Sequence, residues 1–287
     1  MDDRIKNARL VVSTSGGKDS TAMCLMLMEM GYTSRDYDRV FFDTGWEHQE
    51  TYKYLDELEQ TVGPILRLRA DVPVKPEHKE IVADIESKLG FESPMVRRIF
   101  KGMFFSSRRM KWCTKELKLN PAKKYFKELD CDFVNVVGIR REESKRRSGM
   151  TEWEWSDTFD CWIWRPIIGW TEADVINIHK RFKLRPNPLY LQGSHRVGCW
   201  PCIMSRKKEI NQLDDHRVSI IRDIENAVTS LRPKDKQVGT FFQTRTASQI
   251  MQIDEVMRWA ATSRGGKQYE LFSTDEPTCV KWGLCNV

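Results

Sequence analysis

A chain that passes from a short apolar run into paired glycines, a lysine and then a helical pattern has few folds open to it. Here Arg9-Leu10-Val11-Val12-Ser13-Thr14 reads as a buried strand, Ser15-Gly16-Gly17-Lys18-Asp19-Ser20 as a turn, and residues 18–30 as an apolar helix. Glycines let the backbone approach an anion closely, a helix start presents free N–H groups at its positive end, and Lys18 adds a full charge. Ser15 and Ser20 offer hydroxyl donors to phosphate oxygens, and Ser13 closes the strand beside them. The loop is shorter than a Walker-type loop, which places four residues between its first glycine and the Gly-Lys pair.

The strand-then-helix alternation repeats. Further strands are expected at residues 39–43, 65–69 and 133–138, with helices at 47–60, 77–88 and 120–129. Such alternation implies an α/β fold with a doubly wound parallel sheet. Residues 92–112, rich in Arg, Ser and Phe without clean periodicity, are expected to form a long functional loop. Near residue 195 strand signals stop, and helices are expected at 207–230 and 247–263. The reading is a nucleotide-binding domain over residues 1–195 and a smaller, cysteine-containing helical region over 196–287.

At 287 residues, with 40% hydrophobic and 31% charged, the composition is that of a globular protein with a core large enough to need no disulfides. No apolar run approaches the roughly 18 residues of a membrane span, and the N-terminus has no signal-peptide core, so a cytoplasmic location without membrane contact is expected. The net charge of +6 suits a phosphate-bearing ligand and leaves nucleic acid open. Basic clusters stand at Arg97-Arg98, Arg108-Arg109-Met110-Lys111, Arg140-Arg141 and Lys145-Arg146-Arg147. Eight cysteines in such a chain are expected as reduced thiols. Cys24, Cys131 and Cys161 read as packing residues, which leaves Cys113, Cys199, Cys202, Cys279 and Cys285 for chemistry. The histidines, His48, His78, His179, His195 and His216, show no metal spacing, although His195 lies beside a cysteine pair.

The loop resembles that of the adenine nucleotide alpha-hydrolase, or ATP pyrophosphatase, superfamily. That resemblance implies ATP cleavage between the α- and β-phosphates, pyrophosphate held by the loop, and magnesium held with the help of Asp19. Further motifs resemble the phosphoadenosine phosphosulfate reductase-like branch: Asp43-Thr44-Gly45-Trp46 with Glu50-Thr51, Gly138-Ile139-Arg140-Arg141, Arg165-Pro166-Ile167-Ile168, Asn187-Pro188-Leu189-Tyr190, and Gly198-Cys199-Trp200-Pro201-Cys202. The match extends over roughly residues 8 to 205 and implies nucleotide contacts from Asp43, Thr44, Gly138, Arg140 and Arg141 as well as the loop. Arginines at such a strand end can grip phosphate or sulfate bidentately. Lys18, Asp19, Arg140 and, in the tail, Cys285 are the implied catalytic residues.

Cys199 and Cys202 have a spacing that zinc, an iron–sulfur cluster and a thiol–disulfide couple all use. In the resembled branch, cluster-bearing reductases add two adjacent cysteines from an earlier segment. Here that segment is Trp112-Cys113-Thr114, with Lys118 and Pro121 following, so Trp112 stands where a cysteine would. The implied ligands are Cys113, Cys199 and Cys202, with Cys279 or Cys285 as the fourth, or with one iron left open. A [4Fe-4S] cluster is expected, with zinc as the alternative. Trp282-Gly283-Leu284-Cys285 resembles the catalytic C-terminal cysteine motif of sulfonucleotide reductases, but without the glutamate before and glycine after it.

Three functions follow. The first is an ATP-using sulfur transferase that adenylates an acceptor, of the tRNA or DNA phosphorothioation type. With it come a sulfur-donor protein, cysteine desulfurase or thioredoxin-like, and a homodimer. The second is an adenosine phosphosulfate or phosphoadenosine phosphosulfate reductase working through a cysteine nucleophile. The intact Gly-Gly-Lys-Asp core favours the first, because the reductases have usually degraded it. The third is a zinc-containing nucleic-acid-binding module without catalysis, using the basic clusters and some of the ten tryptophans; most of those between Trp153 and Trp170 read as structural.

Overall fold

The computed structural model describes residues 2–233, 238–242, 250–262 and 281–282. Its centre is a six-stranded sheet in the order β3-β2-β1-β4-β6-β5. The strands are β1 (Arg9–Ser13), β2 (Tyr37–Asp43), β3 (Ile65–Arg69), β4 (Phe133–Val137), β5 (Trp153–Ser156) and β6 (Cys161–Trp164). All neighbouring pairs are parallel except β5 with β6. The antiparallel edge was outside the expected all-parallel sheet. It arises because only four residues, 157–160, separate β5 from β6, too few for a parallel crossover. Trp153 stacks on Trp164 across this hairpin at 5.3 Å, a structural use of these tryptophans.

Alternate residues of each strand face opposite layers. Leu10 and Val12 pack with Leu25 and Leu27 of α1 (Lys18–Glu29) and Leu55 and Leu58 of α2 (Gln49–Val62). Val11 and Val40 pack on the other side against Ala122 and Phe126. A strand buried on both faces must be apolar throughout, which is why Leu10-Val11-Val12 reads as one run. In α2 the buried residues Thr51, Tyr54, Leu55, Leu58 and Val62 recur at helical spacing. Burial of Leu55 and Leu58, both fully inaccessible, contributes roughly 1.5–3 kcal/mol each.

A second core takes no residue from the six strands and lies among helices and the segments that join them. It joins Val82, Ile85 and Leu89 of α3 (Lys79–Leu89) to Val96, Ile99 and Phe100 of α4 (Pro94–Gly102). Ile221, Ile224 and Val228 of α10 (Asp215–Leu231) and Ile253 and Val256 of α11 (Ile253–Ala260) complete it. The expected loop over 92–112 is therefore corrected: it contains α4, capped by Ser93 accepting from the Val96 N–H at 3.2 Å, with Pro94 in the first turn. The expected helix over 207–230 is broken into α9 (Lys207–Ile210) and α10, the latter capped by Asp214. The remaining helices are α5 (Trp112–Thr114), α6 (Asn120–Glu128), α7 (Glu172–Arg181) and α8 (Pro188–Leu191), with a π-helical segment, Lys115–Leu119, joining α5 to α6. No described helix is long and apolar enough to cross a membrane.

Candidate active site

Because β1 lies between β2 and β4, the chain leaves its C-terminal end at the switch point of the sheet. In an open α/β sheet that is where the crevice for a ligand opens. The Ser15–Ser20 loop sits there. Gly16 adopts φ +70°, and a Cβ on it would lie 3.2 Å from Thr51 Cγ2 of α2. The Ser15 and Ser20 hydroxyls are 3.0 Å apart, and Ser20 Oγ accepts from the Ser15 N–H at 3.1 Å, so the two serines brace the turn from within. Residues far along the chain complete the brace: Asn187 Nδ2 donates to the Gly16 carbonyl at 3.3 Å, and Tyr190 of α8 accepts from the Lys18 N–H at 3.1 Å.

The Lys18 side chain is buried. Its Nζ lies 3.2 Å from Glu172 at the start of α7, 3.4 Å from the His195 carbonyl and 4.9 Å from the centre of the Tyr190 ring. Burial pushes the Glu172 carboxyl up, but Lys18 outweighs this and holds it below its ordinary range.

The end of β4 reaches the same loop. A Cβ at Gly138 would come 2.9 Å from the Asp19 carbonyl and 3.0 Å from Ser20 Cα, so only glycine fits beside the first turn of α1. Arg140 is buried, donates to Asp19 at 2.5 Å and to Glu142 at 2.5 Å, and has its backbone N–H on Glu143 at 2.9 Å. Burial pulls its pKa down, while Asp19 and Glu142 more than restore it. Asp19, expected to help hold magnesium, is thus ion-paired with Arg140. Arg141 is not brought to the loop: it is exposed, and its Nε donates to the Met150 carbonyl at 3.1 Å. Ser13 lies in β1, its hydroxyl 3.5 Å from Asn135 Oδ1.

Asp43 and Thr44 close β2 and form a buried polar knot. Asp43 accepts from the Gly45 N–H and the Tyr52 hydroxyl at 2.8 Å and from Arg69 at 2.6 Å. Thr44 Oγ1 donates to Glu47 at 2.8 Å, and the Trp46 N–H donates to the same carboxylate at 3.1 Å. Glu47 is 1% exposed and accepts from the Cys199 thiol at 3.7 Å; the two residues also share an isolated β-bridge. Burial, with Glu47 and Asp43 beside it, pushes the Tyr52 hydroxyl far up, so it keeps its proton and donates to both carboxylates. Burial lowers the Arg217 pKa to about 10, with the guanidinium 4.7 Å from the centre of the Trp46 ring.

Cys113, Cys199 and Cys202 converge on Lys118, which the π-helical segment carries inward. Together with Glu47 they raise the Lys118 pKa, Cys199 most strongly. Burial pushes the Cys199 thiol up to about 12. Cys113 accepts from the Ser106 hydroxyl at 3.2 Å, and Cys202 from the Met204 N–H at 3.4 Å. Among the described residues Lys118 has no ion pair within 4.0 Å, and no group of His, Cys, Asp and Glu is arranged to hold a single metal ion. Thiols gathered round an ammonium that forms no ion pair within 4.0 Å among the described residues fit, in charge and donor chemistry, a thiolate-bound anionic cluster. Cys279 and Cys285 lie outside the described residues.

The loop and the thiols are one neighbourhood. The His195 carbonyl meets Lys18, a Cβ on Gly17 would lie 4.0 Å from the Val197 carbonyl, and the chain then reaches Cys199 beside Glu47. Sequence reasoning missed Glu47, Glu172 and Arg69 here. Glu47 and Glu172 look like ordinary acidic residues near helix starts, and nothing local separates them from solvent-facing ones.

A family model described as phosphoadenosine phosphosulfate reductase domain matches residues 9–205. An uncharacterized 37.8 kDa protein of Escherichia phage 186 is 31% identical, the alignment covering 96% of each chain. Adenosine 5'-phosphosulfate reductase of Allochromatium vinosum is 27% identical over 67% of each. The crystal structure of phosphoadenylyl-sulfate reductase from Candida auris, in a phosphate complex, gives a TM-score of 0.49 at 16% identity, covering 69% of this chain and 84% of that one. With the family model spanning more than half of its length, the chain belongs to the phosphoadenosine phosphosulfate reductase domain family.

Proposed function

We propose that the protein cleaves ATP, taken as its magnesium salt, and adenylates an acceptor that then receives sulfur beside Cys113, Cys199 and Cys202. The observation that carries this is the intact Ser15–Ser20 loop, built with its lysine at the sheet's switch point and joined by residues 195–199 to the thiols. In the first step an acceptor oxygen attacks the α-phosphorus, the bond to the bridging oxygen breaks, and pyrophosphate leaves with both electrons. The Gly16 and Gly17 turn, the α1 N-terminus and Lys18 stabilise the charge arriving on that leaving group. We assign Arg140, fixed by Asp19, to the α-phosphate. In the second step sulfide-level sulfur from a donor protein displaces AMP, forming a bond to the acceptor where the oxygen was. A [4Fe-4S] cluster held by Cys113, Cys199 and Cys202 would supply an iron on which that sulfur can rest.

Pyrophosphate release from ATP by anaerobically purified protein tests this reading, together with iron and sulfide analysis. Lys18→Ala should abolish release and leave iron content unchanged. Release at the wild-type rate from that variant would refute the assignment of the loop.

A second reading, reduction of adenylyl sulfate, is favoured by the relatives named adenosine 5'-phosphosulfate reductase. It predicts AMP and sulfite from adenylyl sulfate and a thiol reductant, lost in Cys285→Ser.

A further inference from the structure

Beyond the loop and the thiols, a cavity of about 550 Å³ opens between the segment after α4 and the helices of the C-terminal core. Its lining includes Ser106, Arg108, Arg109, Ser205, Phe242 and Trp259. The cavity adjoins the thiol group at two points: the Ser106 hydroxyl donates to Cys113 at 3.2 Å, and Ser205 Oγ accepts from the Cys202 N–H at 3.2 Å.

The basic residues of the chain differ sharply in how they are used. Arg97 pairs with Glu86, Arg98 with Glu116, Arg140 with Asp19, and Arg147 with Glu143. Arg108 and Arg109 are exposed, and among the described residues neither forms an ion pair. Exposed Lys111 follows them, and exposed Arg206 and Lys208 stand in the chain between the lining residues Ser205 and Ile210. Unpaired guanidinium groups beside aromatic rings suit a ligand with phosphate and a flat heterocycle. Two lining arginines, with Lys111, Arg206 and Lys208 next to lining segments in the chain, exceed what one phosphate needs and suit a strand running across the cavity.

We propose that this cavity binds the acceptor, an unpaired nucleotide within a single-stranded nucleic acid, with Arg108 and Arg109 on its backbone phosphates and Trp259 and Phe242 against its base. This rests on the sulfur-transfer reading and names its acceptor class. The arrangement brings a base to the Cys113 and Cys202 side of the site while ATP occupies the loop.

Fluorescence anisotropy of a fluorescein-labelled single strand of about 12 nucleotides, in RNA and DNA forms, tests it between about 50 and 200 mM salt. Wild-type protein should bind with a salt-dependent affinity. The double variant Arg108→Ala/Arg109→Ala should bind about tenfold more weakly, with its log–log salt slope reduced by about 1.4, as expected for two lost single-strand phosphate contacts. Arg108→Lys/Arg109→Lys should recover most of that slope. ATP binding, measured in parallel, should be the same in all three proteins, so failure of the ATP reading shows separately from failure of this one. Unchanged strand affinity and slope in the alanine variant would overturn the proposal. So would a cavity that takes up AMP or adenylyl sulfate through these arginines while wild-type protein ignores the strand.

Discussion

Arg140 Nε lies 2.5 Å from Asp19 Oδ1, tying the segment after β4 to the first turn of α1. The pair bridges the two sides of the switch-point crevice, so it holds the Ser15–Ser20 loop against the strand end. A double-mutant cycle with Asp19→Ala and Arg140→Ala should show a favourable coupling of about 1–3 kcal/mol in denaturant unfolding. Arg140→Ala alone should also remove ATP turnover. Stability losses that add to within about 0.5 kcal/mol would mean the pair does no joint work.

Gly138 supports the same contact by having no side chain. Gly138→Ala would force a Cβ onto the Asp19 carbonyl and Ser20 Cα, both backbone, so the loop itself must move. Overpacking of this kind costs about 1–3 kcal/mol, and ATP affinity should fall with it. Gly149→Ala, where a Cβ meets nothing within 4 Å, is the matched control and should melt like wild type. Equal melting temperatures for the two variants would contradict the close approach.

Glu225 of α10 makes stability depend on pH. It is 1% exposed and accepts from the Phe241 and Ile253 N–H groups at 2.8 Å, yet burial raises its pKa from 4.5 to about 7. Below about 4.5 both native and unfolded chains hold the proton and the contribution is constant. As pH rises from about 4.5 to about 7, the unfolded chain releases it first, so native stability falls, by on the order of 3 kcal/mol. Glu225→Gln should flatten this part of the curve while losing about 1–3 kcal/mol at low pH for the missing second acceptor. The measurement is unfolding free energy between pH 4 and 8; an unaltered slope in the variant would exclude Glu225 as its source.

Local pattern made the strand–loop–helix unit around Ser15 to Ser20 legible, because its burial and its glycines are dictated within a dozen residues. The helix α4 was hidden by Arg97 and Arg98, whose charges interrupt the apolar spacing of Met95, Val96, Ile99 and Phe100. In three dimensions those arginines turn to Glu86 and Glu116 and leave the apolar face whole. The Ser93-Pro94 start was the signal that could have found it. Contacts such as Tyr190 with Lys18, or Glu47 with Cys199, join residues more than 150 positions apart, and no periodicity encodes them.

Lys118 gives the sharpest separation between a structural and a cluster-supporting role for the thiol site. The ammonium among Cys113, Cys199, Cys202 and Glu47 has its pKa raised by them, Cys199 most strongly, and forms no ion pair within 4.0 Å among the described residues, so it is a cation placed to favour thiolates and the negative charge of a bound cluster. Lys118→Met should therefore cost the metal-free protein some stability and cost the iron-loaded protein more, because a cluster adds to the negative charge that the ammonium balances. The same change should lower iron retained after anaerobic reconstitution by at least half, and the reconstituted variant should gain less in melting temperature than wild type does. A variant destabilised equally with and without iron would show that Lys118 merely packs, and would remove the electrostatic argument for a cluster at these cysteines.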